Sequence, residues 1–186
     1  TLTMMGLEVE GIEPVAPPFS KVIVAEIVST MRHPNADRLK VCQVLTDVAQ
    51  EPLQIVCGAA NARTGIKVAL AQIDAILPGA FHIKKSKIRG EDSFGMLCSA
   101  KELGLAEESD GIIELDQDAP IGKSIREYLQ LDDAILEINL TPNRGDCLSV
   151  LGISRELAAI CQSKIVMPVV ENSVVTLSDA KIINLE

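Results

Sequence analysis

Short apolar runs recur along the first half of the chain, and each is followed by a loop. Residues 22–28 are rich in β-branched side chains, and residues 39–45 are similarly apolar. Runs of this kind, separated by Gly, Asn and Pro, are typical of short β-strands. We expect further strands at 53–57, 66–72, 81–88 and 95–99. Strands at this spacing predict a small antiparallel barrel or sandwich, and an OB-type barrel of about 90 residues is the leading candidate.

The strand predicted around residues 81–89 carries a run of positive charge. It contains four basic residues with no acid between them: Lys84, Lys85, Lys87 and Arg89. The two-residue period of a strand places Lys85, Lys87 and Arg89 on one face. Ile83 and Ile88 fall on opposite faces, so we expect a bulge or kink between them. A basic strand suits an RNA backbone, and a solvated strand that blunts a sheet edge would show the same spacing.

Three further basic residues extend the RNA-binding hypothesis. Arg63 and Lys67 belong to the Gly-rich loop after residue 57 and to the strand that follows it, and Lys101 lies beyond the basic strand. We expect the four residues of the basic strand to supply the main phosphate contacts. Arg63, Lys67 and Lys101 are weaker candidates.

Helical signals are confined to two places. Ser99 followed by Glu102 has the spacing of a capping box, which predicts a short helix. After a β pattern at 134–140, apolar spacing predicts a longer helix over 147–162, with Asp146 as its cap. The face of this helix expected to be buried contains Ile153, Leu157, Ile160 and Cys161.

Composition and charge modify this picture. Of the 186 residues, 47% are apolar, which is enough for a buried core. No apolar run approaches the roughly 20 residues needed to cross a bilayer. The net charge of −9 argues against nucleic acid, yet residues 21–104 hold eleven basic and eight acidic residues, a local charge of about +3. With no Trp, one Tyr and three Phe, an aromatic platform for stacked bases is poorly supported.

Metal and thiol chemistry have little support. Five cysteines are widely spaced with no CxxC pair, as in reduced core cysteines: Cys42, Cys57, Cys98, Cys147 and Cys161. Neither His33 nor His82 has structural-zinc spacing to another ligand, so we expect surface imidazoles and no metal. Cys98 lies in an apolar run without a neighbouring base, which favours packing over catalysis. A stand-alone thiol or zinc enzyme would instead require a cluster of Cys and His, and we expect no catalytic residue.

Four stretches, in order along the chain, resemble the amino-terminal part of bacterial phenylalanyl-tRNA synthetase β subunits: 22–44, 53–71, 87–105 and 137–158. The first and third also resemble the free-standing tRNA-binding modules of other synthetases, through HPNAD at 33–37 and KIRG at 87–90. The TPNR-x-DCLS pattern at 141–149 separates the β subunit from those modules. Gly145 occupies its variable position, where we expect little consequence beyond a looser turn.

The resemblance implies an α+β protein with an inserted domain. A small antiparallel OB-type β-barrel at 21–115, the tRNA-binding domain, would interrupt a mixed α/β frame domain formed by 1–20 and 116–168. Residues 169–186 would be a linker or strand into a following domain. The chain begins with Thr inside an apolar pattern, so we expect an amino-terminal fragment of a longer protein.

The same resemblance implies partners and an activity. The family's holoenzyme is a cytoplasmic α2β2 ligase that activates phenylalanine with ATP and Mg²⁺ and transfers it to tRNA. Its synthetic site lies in the α subunit, and its editing site lies in a later β domain. We therefore expect the α subunit, a second β subunit and tRNA as partners, no DNA or membrane, and no cofactor or catalytic activity in this chain.

A second hypothesis assigns the barrel a different class of role. It would be a protein–protein assembly or spacing module of the synthetase, without direct contact to tRNA. The overall acidity and the scarcity of aromatic residues favour this alternative.

Overall fold

The computed structural model describes residues 2–47 and 51–169. Its strands are β1 (Leu7–Pro14), β2 (Val22–His33), β3 (Ala36–Leu45), β4 (Leu53–Cys57), β5 (Lys67–Ala71), β6 (Ile76–Leu77), β7 (Phe81–His82), β8 (Ser86–Ile88), β9 (Glu91–Ser93), β10 (Met96–Leu97), β11 (Glu114–Leu115) and β12 (Ala134–Leu140). Its helices are α1 (Ile125–Tyr128) and α2 (Val150–Cys161), and 3-10 turns occur at Thr3–Met5, Pro78–Ala80 and Pro142–Cys147. Of the linker or strand predicted at 169–186, residues 170–186 lie outside the described residues.

The central sheet is antiparallel throughout, as predicted. Its order is β10-β5-β2-β3-β4, and β11 also pairs with β5. Strands β2 and β3 form a long hairpin in which His33 pairs with Ala36 across Pro34 and Asn35. Proline fixes its own φ and asparagine tolerates turn geometry, so Pro34 and Asn35 end strand β2 where the chain reverses its direction.

The central sheet is open in its strand pairing, yet its edges approach one another. The Phe94 N–H donates to the Gln54 carbonyl of β4 at 2.9 Å. The Gln54 side-chain amide donates to the Asp92 carbonyl at 2.9 Å, and the Val56 N–H donates to the Ser93 hydroxyl at 3.0 Å. These bonds attach the β9–β10 segment to β4 without a continuous ladder. Among the described residues, the strand pairing therefore does not close a barrel.

The core consists of two apolar clusters that share strand β5. Val68 and Leu70 belong to one cluster, and Ala69 and Ala71 belong to the other. Since successive side chains of a strand point to opposite faces, β5 is buried on both sides. All four residues are fully buried. This double burial explains why residues 68–71 form a continuous apolar run rather than an alternating one.

Gly95 lies where the β9–β10 segment runs close to β5. Its φ is +151°, and a Cβ at this position would lie 2.6 Å from the Ala71 carbonyl oxygen. The Ser93 hydroxyl also donates to the Gly95 carbonyl at 3.0 Å. Both the backbone conformation and the close approach therefore require glycine.

Replacing Gly95 with alanine should lower the free energy of unfolding by about 2–3 kcal/mol, since backbone strain and a Cβ overlap act together. Gly65→Ala is the matched control, because φ there is +84° but no atom lies within 4 Å of the added Cβ. It should cost about 1 kcal/mol. Urea denaturation measures both, and equal losses would contradict the close-approach argument.

The predicted strand 81–89 is interrupted. It is divided into β7 and β8, and the break includes Ile83, which is buried. The expected kink is confirmed, and the single continuous basic strand is wrong. The cause is local, because Ile83 turns into the core and donates its N–H to the Ala75 carbonyl.

The capping box is confirmed, but the helix predicted after it is wrong. The Glu102 N–H donates to the Ser99 hydroxyl at 3.2 Å, and the Ser99 N–H donates to the Glu102 carboxylate at 2.7 Å. The following residues form only a hydrogen-bonded turn. Gly104, at φ +67°, ends that turn before a helix can propagate.

Backbone contacts group the chain into two units. One comprises residues 11–137, and the other comprises the described residues of 1–10 and 138–186. The boundary falls within β1 and β12, which pair with each other. The domain limits predicted from the sequence, 21–115 within 1–20 and 116–168, stay a prediction.

In the smaller unit, Arg144 links several segments. Its guanidinium donates to the Met5 carbonyl at 2.9 Å and forms ion pairs with Asp146 at 3.2 Å and Glu156 at 3.0 Å. Hydrogen bonding and charge from Asp146 raise the pKa of Arg144, and Arg144 in turn lowers the pKa of the Asp146 carboxyl. The carboxylate of Asp146 is thus engaged by Arg144.

Helix α2 differs from its prediction at its start and on its face. It is capped by Ser149, whose hydroxyl accepts from the Gly152 N–H at 3.0 Å, so Asp146 as cap is wrong. Leu157 and Ile160 are each 39% exposed, so the expected buried face is only partly covered within the described residues. In those residues, no helix is long and apolar enough to cross a membrane.

Candidate nucleic-acid interface

Two hairpin turns, far apart in sequence, are joined by hydrogen bonds through His33. The Asn35 N–H donates to His33 Nδ1 at 3.0 Å, and His33 Nε2 lies 3.0 Å from the Ile88 carbonyl oxygen. The Asn35 side-chain amide donates to the Arg89 carbonyl at 3.1 Å. The Asn35 N–H can only donate and the Ile88 carbonyl oxygen can only accept, so Nδ1 accepts one of these hydrogen bonds and Nε2 donates the other. The β2–β3 turn thereby holds the β8–β9 turn in place.

The β8–β9 turn presents an arginine at its apex. Ile88 pairs with Glu91 across Arg89 and Gly90, whose φ values are +48° and +105°. Positive φ at both central residues is the type I′ geometry that matches the twist of a hairpin. Arginine is uncommon in this conformation. The Asn35 amide bond to the Arg89 carbonyl helps to hold it there.

The seven predicted RNA-binding residues fall into two groups. Four are exposed and have no ion pair or side-chain hydrogen bond within the described part of the chain: Lys84, Lys87, Arg89 and Lys101. Of these, the first three lie on or beside the β8–β9 hairpin, whereas Lys101 lies within the capping box, between Ser99 and Glu102. Lys85 lies next to them but is engaged, since it pairs with Asp92 at 3.3 Å and lies over the Phe94 ring at 4.6 Å.

Arg63 and Lys67 have structural partners. Arg63 binds both carboxylate oxygens of Glu114, at 2.6 and 2.7 Å, and the Asn61 amide donates to the same carboxylate at 3.0 Å. Lys67 donates to the Ala119 carbonyl at 2.6 Å. These contacts hold the Gly-rich loop and β5 to the segment after residue 110. A phosphate at either side chain would have to compete with them.

Arg63→Met should raise the pKa of Glu114, because the hydrogen bond from Arg63 is the largest cause of its lowering, followed by that from Asn61. A carboxyl whose pKa is lowered by folding stabilises the fold at any pH above its pKa in the unfolded state. This contribution is lost as the pH falls through the pKa of the folded state. The wild-type advantage in stability over Arg63→Met should therefore be present at pH 7 and vanish in acid. An NMR titration measures the pKa of Glu114, and urea denaturation at pH 7 and at acidic pH measures the difference in stability. Arg38→Met, at an exposed arginine, is the control. An unchanged Glu114 pKa would contradict it.

The sequence prediction missed several residues of this region. His33 is only 5% exposed, because its ring forms hydrogen bonds with both turns. The expectation of a surface imidazole is therefore wrong for His33, and it is confirmed for His82, which is exposed. Arg32 and Arg38 flank the β2–β3 turn and are exposed. The HPNAD turn at 33–37 could have drawn attention to Arg32 and Arg38. Local sequence, however, does not show that this turn lies against the β8–β9 hairpin.

The cysteines are free, and all but one are buried. The core prediction is confirmed for Cys42, Cys57, Cys98 and Cys147, and it is wrong for Cys161, which is exposed. Burial raises the pKa of Cys98 to about 12 and that of Cys42 to about 11, which keeps both thiols protonated.

Only one described group of potential metal ligands lies close together, namely Asp146, Cys147 and Glu156. The Arg144 guanidinium binds both of its carboxylates and donates to the thiol at 3.0 Å. A cation is thus already supplied by the chain, and the group does not suit a metal ion.

Comparisons with known proteins identify the family of this chain. The family model described as "Putative tRNA binding domain" matches residues 22–124. The phenylalanine–tRNA ligase β subunit of Pseudomonas putida is 56% identical over 91% of this chain and 21% of its own length. That of Methylococcus capsulatus is 62% identical over 86% and 20%, and that of Dechloromonas aromatica is 53% identical over 100% and 23%.

The chain therefore spans about a fifth of the length of these curated relatives. Among solved structures, a MetRS related protein from Pyrococcus horikoshii is 23% identical, with a TM-score of 0.41 over 56% of this chain and 87% of that chain, a likeness too low to define the fold. Over most of its length, the chain is 53–62% identical to these β subunits. The family model covers more than half of the chain, so the chain belongs to the tRNA-binding-domain family.

Proposed function

We propose that this chain is the tRNA-binding module of a phenylalanine–tRNA ligase β subunit. The observation that carries the proposal is the joining of two turns through His33. It places the unpaired side chains of Lys84, Lys87 and Arg89 in one region, beside a turn flanked by Arg32 and Arg38. In a chain of net charge −9, such a local excess of unpaired cations suits a polyanion.

The basic residues have graded roles in this proposal. Lys84, Lys87 and Arg89 contact phosphates directly, because no partner in the described part of the chain has to be displaced. Lys85 joins them by exchanging the exposed Asp92 carboxylate for a phosphate, an exchange of low cost at a solvated pair. Arg63, Lys67 and Lys101 contribute less, since the first two are engaged and the third lies outside the hairpin.

The fold proposed for residues 21–115 is an OB-type barrel inserted into a frame formed by 1–20 and 116–168. The bonds between the β9–β10 segment and β4 support it, because they join the two edges of the central sheet. OB-type barrels are commonly partly open, so incomplete pairing between these edges is compatible with that architecture. Residues 169–186 would lead into a following domain.

The activity proposed for the whole protein is the charging of tRNA with phenylalanine. The names of the relatives support it. The holoenzyme would use ATP and Mg²⁺ in the cytoplasm, as a complex with an α subunit and a second β subunit in an α2β2 arrangement. Within it, this chain would bind tRNA, would itself bind neither DNA nor a membrane, and would supply neither a cofactor site nor a catalytic residue.

One observation favours the alternative role as an assembly module. An apolar groove of about 450 Å³ lies in the larger unit, lined by residues 17–20 and 76–80. Exposed apolar surface of this kind marks interaction sites on proteins. The groove and the basic hairpin use different residues, so protein contact and tRNA contact are compatible.

The experiment that tests the tRNA proposal is a salt titration of the affinity for phenylalanine tRNA. Each phosphate contact contributes roughly 0.7–0.9 to the slope of log affinity against log salt concentration. Three to five contacts should therefore give a slope of about −2 to −4. The absence of binding at low salt, or a slope near zero, would overturn the proposal.

A further inference from the structure

A cleft opens beside the β8–β9 hairpin, lined in part by Ser86 and Ile88. Its volume is about 260 Å³, below the roughly 300–1,000 Å³ of pockets for drug-sized ligands. Its rim includes Phe81, His82 and Lys84, and its apolar lining includes Val56, Ile88 and Met96. The size and the lining suit one flat ring system.

Phe81 is the exposed aromatic residue of the larger unit. The Phe81 side chain is 56% exposed, whereas Phe19 is buried and Phe94 lies under the Lys85 ammonium. An exposed phenyl ring at the mouth of an apolar cleft can stack on a planar ligand, which a buried ring cannot. The scarcity of aromatic residues therefore matters less than the position of this one.

Positive charge adjoins the same cleft. Lys84 lies on its rim with its side chain unpaired, and Ser86 and Ile88 of β8 line it on either side of exposed Lys87. A ligand that enters here would carry its anionic part outside and its planar part inside. Nucleotides of single-stranded RNA have this division between phosphate and base.

We propose that this cleft accepts one unstacked nucleobase of bound tRNA, stacked on Phe81, while Lys84 contacts the adjacent phosphate. The inference rests on the proposed tRNA-binding function and adds to it the recognition of an unpaired nucleotide in a loop or at an end. Bases within a duplex are stacked and cannot enter, so the cleft selects for single-stranded RNA.

The test uses the 186-residue chain and a single-stranded oligoribonucleotide with one 2-aminopurine. Binding to the wild type should quench the fluorescence of the probe through stacking. Phe81→Leu should abolish the quenching and lower the affinity about tenfold, the range for loss of one stacked base, without changing the salt slope. Phe81→Trp should retain both the quenching and the affinity. Retention would show that the loss in Phe81→Leu comes from the missing aromatic ring and not from misfolding.

Ile73→Ala is the matched control, because Ile73 is a partly exposed apolar residue that does not line the cleft. It should bind as the wild type does, and Phe81→Leu should leave the weak affinity for a blunt RNA duplex unchanged. If Phe81→Leu binds the single strand as tightly as Ile73→Ala while the wild type keeps a steep salt slope for tRNA, the cleft proposal is overturned and tRNA binding stands. If the wild type binds no tRNA at low salt, both are overturned.

Discussion

Replacing Lys84, Lys87 and Arg89 together by alanine should lower the affinity for tRNA about 100-fold at 0.1 M salt. Each lost phosphate contact removes roughly 0.7–0.9 from the salt slope, so three contacts remove about 2–3. At 0.1 M salt, a change of that size in the slope corresponds to about two orders of magnitude in affinity. A filter-binding or fluorescence titration at several salt concentrations measures both quantities.

The control for this variant removes the same charge from another part of the surface. Lys123, Arg155 and Lys164 are exposed, and none lies on the β8–β9 hairpin. Their triple alanine variant should reduce the affinity only slightly, through net charge alone. Equal losses in the two triple variants would mean that tRNA binding depends on overall charge, and the hairpin would have no special role.

Replacing His33 with alanine should lower the free energy of unfolding by about 2–4 kcal/mol. The buried imidazole forms hydrogen bonds with the backbone N–H of Asn35 and the carbonyl of Ile88. Its removal leaves both groups without that partner and opens a cavity. The β8–β9 turn should then become more mobile, which weakens tRNA binding without removing any positive charge. Urea denaturation and hydrogen exchange of the hairpin amides measure these effects.

His82→Ala provides the comparison, because His82 is exposed. It should change the free energy of unfolding by less than about 0.5 kcal/mol, as is usual for surface substitutions. A His33→Ala variant as stable as His82→Ala would show that the joining of the two turns contributes little. The same conclusion would follow if the amides of the β8–β9 hairpin in His33→Ala exchanged hydrogen as slowly as those of the wild type.

Two motifs that carry the family resemblance, HPNAD at 33–37 and KIRG at 87–90, form one structural unit. They meet through His33, Asn35 and the carbonyls of Ile88 and Arg89. The first motif positions the second, so the placement of the basic residues on the β8–β9 hairpin depends on the His33 ring.

Features governed by local periodicity were predictable from the sequence. The strands at 53–57 and 134–140 have the predicted limits, and the capping box of Ser99 and Glu102 has both predicted bonds. Side-chain alternation, turn residues and cap spacing act within a few residues, so the sequence alone carries this information. The antiparallel β-rich class follows from the same local signals.

Long-range contacts decided what the sequence left open. Equally basic side chains differ in availability because Glu114 lies beside Arg63 and Ala119 beside Lys67, whereas no such partner among residues 2–47 and 51–169 reaches Lys87. His33 is buried because the β8–β9 turn lies against it, whereas Asp146 pairs with Arg144 and α2 begins only after its Ser149 cap. Local sequence thus determined the strands, the turns and the basic run. Tertiary structure decided which of the described basic side chains are paired, because pairing depends on residues about fifty positions away that only the folded chain brings within bonding distance.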